Sequence, residues 1–426
     1  MQKIITPRLI PALIAIVFSG GASAAGFQLL EQNASGIGNA YAGSAAVAEN
    51  ASTIFYNPAG MTQLQGVQVS GGLSVVGTSF KFTDQGSTGT GALAGTGNGG
   101  DGGDLGFIPN GYVSWQLNKD LYLGLGLGAP FGLKTTYDDS WIGAAQAISF
   151  DIKTYNINPS IAYRVNDTVS IGAGLNWQRV EATYKRLTAV TLAGSQSPLK
   201  LTLDDDSWGW NVGALFNVTP ATKVGLSYRS KVRYHTKGDI AITGPLATNS
   251  SDAKASIVLP DIATLSATHK LTDRVELLGD ISWTGWSSIP KVDIVRASAT
   301  LNGFFPAGSI AQTLDTDFRD TWRVAIGANY KLNDEWLLKG GIAYDQTPVK
   351  DASTRLVSLP DNNRTWFSAG VQWKQSQNVT LDVGATYLYV RDTQIDNDQS
   401  AAGRGRITGN YEDSAWIFGA QVSMAF

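Results

Sequence analysis

Residues that could carry out acid–base or nucleophilic chemistry are few in this chain. Its 426 residues include no cysteine, which excludes disulfides and thiolate metal ligands, and only two histidines, His235 and His269. His235 is the one candidate base in the middle of a strand-like run, and no Gly-x-Ser-x-Gly nucleophile element accompanies it. The sequence therefore predicts a protein that is not an enzyme and that has no metal site and no cofactor.

The charge balance excludes a further class of partner. The formal net charge is −3 at pH 7, and it becomes −5 if Lys3 and Arg8 are removed with an N-terminal leader. A chain without an excess of positive charge gives no reason to expect nucleic acid as a partner. Charged residues make up only 16% of the chain, which also argues against a disordered protein.

The first 24 residues have the pattern of a secretory signal peptide. Lys3 and Arg8 form a positively charged start, residues 9–18 form a short apolar core, and residues 22–24 (ASA) form a cleavage site. A membrane anchor is the alternative, but the apolar run is shorter than the roughly 20 residues that a transmembrane helix needs. We therefore expect an exported protein whose mature chain starts at residue 25.

The elements that would position any functional side chain are strands. From residue 66 onward, apolar and polar residues alternate in long runs, and short turn signals recur roughly 50 residues apart. Each interval then holds two strands and one longer loop. The turn signals fall at residues 118–120, 166–167, 219–220, 272–273, 333–334 and 375–378. The predicted fold class is all-β: a transmembrane antiparallel β-barrel of about 14 strands over residues 66–426, with the longer loops outside the cell.

Aromatic residues near the ends of these runs predict girdles at the membrane surfaces. They are Trp115, Tyr122, Tyr163, Trp177, Tyr228, Trp283, Trp286, Trp322, Tyr330, Trp336, Trp366 and Trp373. The alternative is the core of a soluble β-sandwich. The last run argues against it, because its alternate residues from Trp416 to Phe426 are apolar. A final phenylalanine on a lipid-facing strand resembles the assembly signal of bacterial outer-membrane barrels, so we expect their assembly machinery to be a partner.

Residues 25–65 form the one long segment that fits neither a strand pattern nor an independent helix. The segment is rich in small residues, has Glu31 and Glu49 as its only charged residues, and contains a strong turn signal at residues 57–60 (NPAG). Such a segment needs a surrounding structure to pack against. We expect it to be a hatch, or plug, domain in the lumen of the barrel.

A second irregular stretch interrupts a predicted strand. Leucine and glycine alternate from residue 121, and then Ala129, Pro130, Phe131 and Gly132 break the pattern. Pro130 has no N–H for the sheet ladder, and Gly132 can adopt backbone angles that other residues avoid. Two interpretations stay open at this point: the strand ends here, or it is kinked and opens the wall sideways.

Several short motifs, in their order along the mature chain, resemble one known family. They are residues 25–29 (AGFQL), 35–43 (SGIGNAYAG), 57–59 (NPA), 228–230 (YRS), 259–260 (LP), 318–320 (FRD) with Trp322 and Arg323, and 360–361 (PD) with Arg364, Trp366 and 368–370 (SAG). The family is that of the long-chain fatty acid transporters of the bacterial outer membrane, with their relatives that take up toluene and other hydrocarbons. No single motif is decisive, whereas their shared order is specific.

The resemblance implies both a fold and a mechanism. It implies a 14-stranded barrel, an N-terminal hatch that carries Asn57, Pro58 and Ala59, and a kinked third strand at residues 129–132 beside that motif. We expect Asn57, Pro58 and Ala59 to work with Ala129, Pro130 and Gly132 as one gate. A long-chain fatty acid would enter an apolar groove among the outer loops, move to a tighter interior pocket, and leave sideways through the kink into the bilayer. This is passive diffusion gated by the ligand, which suits apolar surface that prefers to leave water.

The resemblance also implies ligand-binding roles. The ring of Phe27 would occupy the interior pocket until the ligand displaces it, with ordinary filling of the barrel as the alternative. Arg186 matches by position a basic residue that contacts the carboxylate in fatty-acid members. The second basic position falls on Leu314, which favours the alternative of a neutral ligand such as a monoaromatic hydrocarbon, and Arg319 is a candidate substitute.

Two further expectations concern the outer loops. Phe131 and Trp141, with Ile142 and Ile148, form an apolar stretch that we assign to the outer groove. Residues 141–149 have the pattern of a short amphipathic helix, and the alternative is a cap on the barrel that does not touch the ligand.

Two inward-facing ion pairs are expected to keep the lumen ordered. One joins Arg323 to Asp320, and the other joins Arg364 to Asp361.

The expected location is the bacterial outer membrane, as a multi-pass monomer. The expected partners are a hydrophobic small-molecule ligand, the assembly machinery, outer-membrane lipid and lipopolysaccharide; in an alternative interpretation, Lys185 and Arg186 are rim charges that face lipopolysaccharide phosphates. Two other function classes stay open. One is an outer-membrane lipase that uses His235, and the other is a general diffusion porin with an open lumen.

Overall fold

The computed structural model of the protein describes residues 26–89, 95–188 and 197–426. The predicted signal peptide, residues 1–24, lies outside these ranges. The strands, in chain order, are β1 (Val67–Asp84), β2 (Leu105–Gln116), β3 (Leu121–Gly128), β4 (Gly132–Thr136), β5 (Ser149–Arg164), β6 (Val169–Thr188), β7 (Ser197–Thr219), β8 (Thr222–Arg229), β9 (Val232–Ile242), β10 (Ser251–Leu259), β11 (Ile262–Lys270), β12 (Val275–Thr284), β13 (Lys291–Arg296), β14 (Ile310–Asp315), β15 (Thr321–Lys331), β16 (Trp336–Asp345), β17 (Arg364–Lys374), β18 (Val379–Val390), β19 (Thr393–Asp398) and β20 (Arg406–Ala425).

The sheet closes on itself, because β1 pairs with β2 on one side and with the last strand, β20, on the other. In the closing pair, Val75 lies opposite Phe418. Six positions of the wall consist of two consecutive segments, which are β3 with β4, β8 with β9, β10 with β11, β12 with β13, β14 with β15 and β18 with β19. With the continuous strands they make a closed barrel of 14 antiparallel strands in the described residues, as the sequence predicts.

Short turns join the strands at one rim, and all six predicted turns are confirmed. Three of them have the same hydrogen-bond pattern. The side-chain oxygens of Asn118, Asn166 and Asn333 each accept hydrogen bonds from the backbone N–H groups two and three residues further on. This local bonding of asparagine favours a tight turn, and it fixes the register of the strands on either side.

Helical segments are short. They are α1 (Thr53–Tyr56) and the 3-10 helices Ile37–Asn39, Pro58–Gln63, Gly244–Asn249, Trp286–Ser288 and Ser400–Ala402. In the part of the chain that the structure describes, no helix has the length and apolar character needed to cross a membrane.

Alternate residues of each strand face outward and form an apolar belt. In β3, Leu123, Leu125 and Leu127 are exposed. In β20, Trp416 and Phe418 are exposed, which confirms the outward stripe predicted for the last strand. A barrel in lipid requires this pattern, because its outer surface contacts hydrocarbon while every backbone group is paired within the wall.

The predicted aromatic girdles are only partly correct. Trp115 and Trp322 are about half exposed on the outer surface, whereas Tyr122, Trp286 and Trp366 are fully buried inside. Assigning these three to the girdles was wrong. In a strand, a shift of one residue changes the face, so nearness to the end of a strand does not decide whether a side chain meets lipid or lumen.

Residues 26–65, here called the N-terminal segment, are mostly buried and touch opposite sides of the wall. A Cβ atom on Gly38 would lie 2.8 Å from the Cα atom of Gly370 in β17. A Cβ atom on Gly172 in β6 would lie 2.4 Å from the backbone nitrogen of Ala59. Only glycine permits these approaches, so the segment and the wall are matched in shape at both places.

Candidate functional site

The candidate site is centred on an interruption in the wall. β3 ends at Gly128 and β4 begins at Gly132, and both segments pair with β5. β2 pairs with β3 as far as Gly111, and among the described residues no pairing joins the rest of β2 to β4. Pro130 cannot donate to a ladder. The strand resumes after the interruption, so the geometry supports a kinked strand with a gap on its β2 side.

Residues 27–32, here called the N-terminal arm, supply backbone partners at this gap. The N–H of Leu29 donates to the carbonyl of Pro130 over 2.8 Å, and the N–H of Gly132 donates to the carbonyl of Phe27 over 2.8 Å. Gln32 continues the contact, because its Nε2 donates to the carbonyl of Ala129 over 2.8 Å and its Oε1 accepts from the N–H of Ala129 over 2.9 Å. The arm therefore satisfies polar groups that the kink leaves without a strand partner.

The ring of Phe27 lies in an apolar cluster on the lumen side of the kink. Its centroid is 4.8 Å from that of Trp286 and 6.0 Å from that of Phe131. This inner cluster consists of Phe27, Phe131, Leu133, Ile152, Val180, Val232, Tyr234, Ile257, Leu259, Trp286, Ile289, Phe318, Val349, Leu356 and Leu359. All of these side chains are buried, so Phe27 occupies the kind of site that an apolar ligand would need.

A second apolar cluster lies on the side of the longer loops. This outer cluster includes Phe82, Tyr137, Trp141, Tyr184, Leu201, Ile240 and Tyr411. Four partly buried side chains pack against both clusters and join them; they are Phe150, Ala182, Val292 and Leu314. The interior therefore offers continuous apolar contact from the outer loops to the kink.

Arg186 of β6 reaches inward at the edge of the outer cluster. Its side chain is buried, its Nε donates to Oε1 of Gln312 over 2.8 Å, and its Nη1 donates to the carbonyl of Leu187 over 3.0 Å. Every Asp and Glu of the chain lies in the described residues, and none of them forms an ion pair with Arg186. A buried cation without a counter-ion is unfavourable and is stabilised when an anion binds.

Two further arginines act on Arg186 through their charge: Arg296 and Arg404. Arg296, at the end of β13, donates to the carbonyl of Asn249 over 2.7 Å. Arg404, in the loop before β20, donates to Oε1 of Gln399 over 2.9 Å, and burial lowers its pKa below the ordinary value. Arg186, Arg296 and Arg404, here called the arginine cluster, concentrate positive charge beside apolar side chains.

Sequence reasoning missed Arg296 and Arg404. They belong to different strands and loops, and no spacing links them to Arg186. Leu314 packs against both apolar clusters, so this position supplies no cation. Arg319 is exposed and donates to the carbonyl of Thr347 over 3.2 Å. The one available signal was strand alternation, which places Arg186 and Arg296 on inward faces.

The turn motif of the N-terminal segment lies against another part of the wall. Nδ2 of Asn57 donates to the carbonyls of Ala45 over 2.7 Å and Ala214 over 3.0 Å, and its Oδ1 accepts from the N–H of Ala59 over 3.1 Å. Pro58 begins the 3-10 helix that follows. The structure thus places Asn57, Pro58 and Ala59 beside β6 and β7, while the hydrogen bonds at the kink come from the arm.

The residues assigned to the outer groove lie deeper than expected. Phe131 belongs to the inner cluster, and Trp141 is fully buried with its Nε1 donating to the carbonyl of Ala147 over 2.8 Å. The ring of Trp141 stacks on Tyr137 with centroids 4.4 Å apart. Residues 142–146 form successive turns, so the predicted amphipathic helix over residues 141–149 was wrong. Glycines near this tryptophan let the turns fold over its ring.

One of the two expected ion pairs is confirmed and the other was wrong. Arg364 pairs with Asp361 inside the barrel. Arg323 pairs with Asp280 across the neighbouring strand at 3.5 Å, whereas Asp320 accepts a hydrogen bond from the N–H of Ser287 over 2.9 Å. Side chains close in sequence on a strand can point to different places, while cross-strand neighbours share a face.

Wall cations also hold the N-terminal segment itself. Nη2 of Arg323 donates to the carbonyl of Ala40 over 2.6 Å. Nζ of Lys339 donates to the carbonyl of Ser35 over 3.0 Å and pairs with Glu49 at 2.9 Å and with Asp382 at 3.0 Å. These contacts lie away from the kink, so the segment is tied to the wall by charge on the side opposite to its arm.

Comparison with known sequences gives matches over nearly the whole chain. Residues 15–426 match the family described as "Outer membrane protein transport protein (OMPP1/FadL/TodX)". The chain is 32% identical over 423 residues to outer membrane protein P1 of Haemophilus influenzae, covering 88% of each chain. It is 26% identical over 466 residues to the long-chain fatty acid transport protein of Escherichia coli K12, covering 100% of each chain.

Comparison with solved structures gives the same architecture. A FadL homologue from Pseudomonas aeruginosa is 24% identical and superposes with a TM-score of 0.87, covering 94% of this chain and 100% of that one. The toluene transporter TbuX of Ralstonia pickettii is 20% identical with a TM-score of 0.68, covering 93% of this chain and 100% of that one. At these identities the likeness shows the fold.

Proposed function

Since the chain belongs to the OMPP1/FadL/TodX family of outer-membrane transport proteins, we propose that it takes up long-chain fatty acids by ligand-gated passive diffusion. It is a multi-pass protein of the bacterial outer membrane. Relatives among the matches are long-chain fatty acid transport proteins from Escherichia coli and Salmonella typhi. The family consists of transport proteins, which argues against the lipase alternative based on His235.

The observation that carries this proposal is the arginine cluster at the edge of a continuous apolar interior. A fatty acid has an apolar chain and a carboxylate. The chain gains about 25 cal/mol for each Å² that it removes from water, and the desolvated carboxylate needs charged donors. The outer and inner clusters supply the apolar surface, and Arg186 supplies a buried guanidinium without an acidic partner. A fatty acid would use both, with its chain on the apolar surface and its carboxylate on the guanidinium.

The gate in this proposal is the N-terminal arm. The domain assignment is a signal peptide over residues 1–24, a hatch over residues 25–65 and a barrel over residues 66–426. An acyl chain that enters the inner cluster displaces the ring of Phe27, and the arm then releases the backbone groups at the kink. Lys339 and the other wall cations keep the rest of the hatch in place. The ligand leaves through the gap beside Pro130 into the bilayer.

A neutral ligand such as a monoaromatic hydrocarbon is the second candidate. The observation that favours it is Leu314, an apolar residue where the resemblance places a second cation. A neutral ligand would use the same two apolar clusters and would gain nothing from the arginine cluster.

The experiment that separates the two candidates replaces Arg186 with Ala and measures binding and uptake of oleate and toluene. Loss of charge-assisted hydrogen bonds should weaken oleate binding roughly 10- to 100-fold and leave toluene uptake unchanged. The matched control is Arg179→Ala on the same strand, because Arg179 faces outward and pairs with Glu181 and Asp204. Unchanged oleate binding in R186A would remove Arg186 from the mechanism and favour the neutral ligand.

A general diffusion porin makes a different prediction. An open lumen would conduct ions steadily in a planar bilayer, whereas a barrel closed by a hatch should show almost no conductance. We further propose that the protein is a monomer, that the assembly machinery reads its final strand ending at Phe426, and that lipopolysaccharide surrounds its outer half.

A further inference from the structure

Four exposed lysines lie together on the outward face of the wall. Lys185 is in β6, Lys200 in β7, Lys237 in β9 and Lys254 in β10. These strands are consecutive neighbours, because β7 pairs with β6 and β9, and β9 pairs with β10. The residue that follows Lys200, Leu201, is buried in the lumen. The four lysines, here called the lysine band, therefore point away from the transport path.

The register brings these lysines together in pairs. Lys185 lies directly opposite Lys200, and Lys237 lies directly opposite Lys254. Like charges that face each other across an antiparallel pair are destabilising. An anion bound between the members of each pair would remove that repulsion.

Lys237 lies directly opposite Asp204, but Asp204 is held by Arg179. In the residues that the structure describes, none of the four lysines forms an ion pair, whereas Arg179 on the same face of β6 pairs with Glu181 and Asp204 at 3.2 and 2.7 Å. Residues 189–196 join β6 to β7, lie outside the described ranges, and contain no acidic residue.

Two further acidic residues lie next to Lys237 and Lys254. Asp239 and Asp252 are register partners one step beyond Lys237 and Lys254 on the same face. Asp239 accepts a hydrogen bond from Oγ1 of Thr202 over 2.6 Å. These two acids therefore lie between the level of Lys237 and Lys254 and the level of Lys185 and Lys200, and neither forms an ion pair within the described ranges.

The lipid-facing surface below the lysine band shows where the band lies relative to the hydrocarbon of the membrane. On the same face, Trp177 lies opposite Trp208, and Trp208 is 62% exposed. Apolar residues occupy alternate positions of β7 from Trp208 to Val218, next to the rim of short turns, and Trp210, Val212 and Val218 among them are also exposed. That distance is about 33 Å along a tilted strand, which matches an apolar band about 25 Å tall. Trp208 therefore marks the upper edge of the hydrocarbon.

The two lysine pairs lie above this edge at two levels. Lys237 faces Asp204, which is about 13 Å beyond Trp208 along the strand, and Lys200 is about 27 Å beyond Trp208. Allowing for strand tilt, the lower pair is at the level of lipid headgroups and the upper pair is at the level of the first sugars attached to them.

We propose that the lysine band is a binding site for the phosphate groups of lipopolysaccharide, the phosphorylated glycolipid of the outer leaflet. Lys237 and Lys254 bind phosphate on the headgroup next to the acyl chains. Lys185 and Lys200 bind phosphate on the adjoining core sugars. The ammonium groups act as point charges on phosphate oxygens, and the exposed Trp208 packs against the acyl chains. The site rests on the outer-membrane location alone and does not depend on the transported ligand.

The test measures binding of fluorescent glycolipids to the full-length protein in nanodiscs. K237Q/K254Q should bind diphosphorylated lipid A roughly 30-fold more weakly than the wild type, as expected for two lost charges near a lipid surface. K185Q/K200Q should bind lipid A normally and lose affinity by a similar factor for a rough lipopolysaccharide with a phosphorylated core. The charge-retaining variants K237R/K254R and K185R/K200R should bind like the wild type.

The controls distinguish this site from general electrostatics. K119Q/K270Q removes two exposed lysines at the rim of short turns and should leave both affinities unchanged. Dephosphorylated lipid A should bind the wild type weakly, and inorganic phosphate at matched concentration should not displace the glycolipid. Normal binding in both glutamine variants, equal loss in K119Q/K270Q, or displacement by inorganic phosphate would overturn the proposal. Heat-modifiable migration on a gel verifies that each variant forms the barrel.

Discussion

The backbone N–H of Leu29 donates to the carbonyl of Pro130 over 2.8 Å, so the N-terminal arm pairs with the wall at the point where β3 is interrupted. A proline at this position removes one donor from the ladder and leaves a gap toward β2. The arm supplies backbone partners at that gap, and in the proposed mechanism it releases them when a ligand enters. The two irregular stretches of the sequence therefore meet, because residues 27–32 form hydrogen bonds with residues 129–132.

Replacing Phe27 with Ala should raise the affinity for oleate. The ring occupies the inner cluster against Trp286, and in the proposed mechanism a ligand must displace it before binding. Without the ring, the ligand no longer has to displace it, and we expect the affinity for oleate to rise roughly tenfold. Isothermal titration with oleate checks the change. Phe55→Ala is the matched control, because Phe55 lies in the same segment but packs on Tyr56 and Arg229. Equal affinity in F27A and wild type would assign Phe27 to ordinary filling.

Replacing Gln32 with Ala should loosen the kink. Two hydrogen bonds to the backbone of Ala129 disappear, and each buried group left unpaired costs about 1–3 kcal/mol. Hydrogen exchange at residues 129–132 should therefore become faster while exchange in β16 and β17 is unchanged. Gln28→Ala serves as the control, because that side chain bonds to Thr284 and only its backbone forms a bridge to Phe131. Slow exchange at the kink in Q32A would show that this side chain does not hold it.

Replacing Lys339 with Met should release the N-terminal segment from the wall. The change leaves Glu49 and Asp382 close together without their shared cation, which costs about 3–5 kcal/mol for a buried pair. Urea unfolding in micelles, with exchange over residues 35–49, measures the loss. The triple variant K339M/E49Q/D382N should recover most of it, because no charge is then left unpaired.

The control for Lys339 is Lys331→Met on the preceding strand. Lys331 pairs with Asp334 at 2.6 Å on the surface, and such pairs contribute less than about 1 kcal/mol. A loss in K331M as large as that in K339M would mean that burial of the pair is not the cause.

Glu31 should make docking of the arm depend on pH. Its carboxylate is buried in the N-terminal segment, its Oε2 has no hydrogen-bond partner in the described residues, and burial raises its pKa from 4.5 to about 7 against the opposing charges of Arg323 and Arg364. Below pH 4.5 the group is protonated in both docked and undocked states. As the pH rises from 4.5 to about 7, the undocked state loses its proton first, so docking weakens by about 3 kcal/mol in total.

The measurement is protease cleavage of the arm between pH 4 and pH 8. Cleavage of the wild type should accelerate as the pH rises, whereas Glu31→Gln should be cleaved slowly across the range because it has no charge to desolvate. The same pH dependence in E31Q and wild type would assign the effect to another group. Protease activity at each pH is corrected with an unfolded peptide substrate.

The sequence by itself determined the architecture. Alternation along each strand, six short turns and the outward stripe of the last strand are local patterns, and lipid enforces them because every wall residue faces either hydrocarbon or lumen. Pro130 marked the interruption for the same reason, since a missing N–H is a property of one residue. That the strand resumes beyond it is shown by the pairing of both β3 and β4 with β5.

Only the tertiary structure decided which residues meet inside the barrel. Arg323 was expected beside Asp320, and the register of β12 and β15 gives it Asp280 instead. Arg296 and Arg404 approach Arg186 although they are far from it along the chain. Such contacts depend on strand order, on register and on the path of the N-terminal segment, which has no periodic pattern. Those are properties of the closed barrel as a whole, so no local spacing in the sequence encodes them.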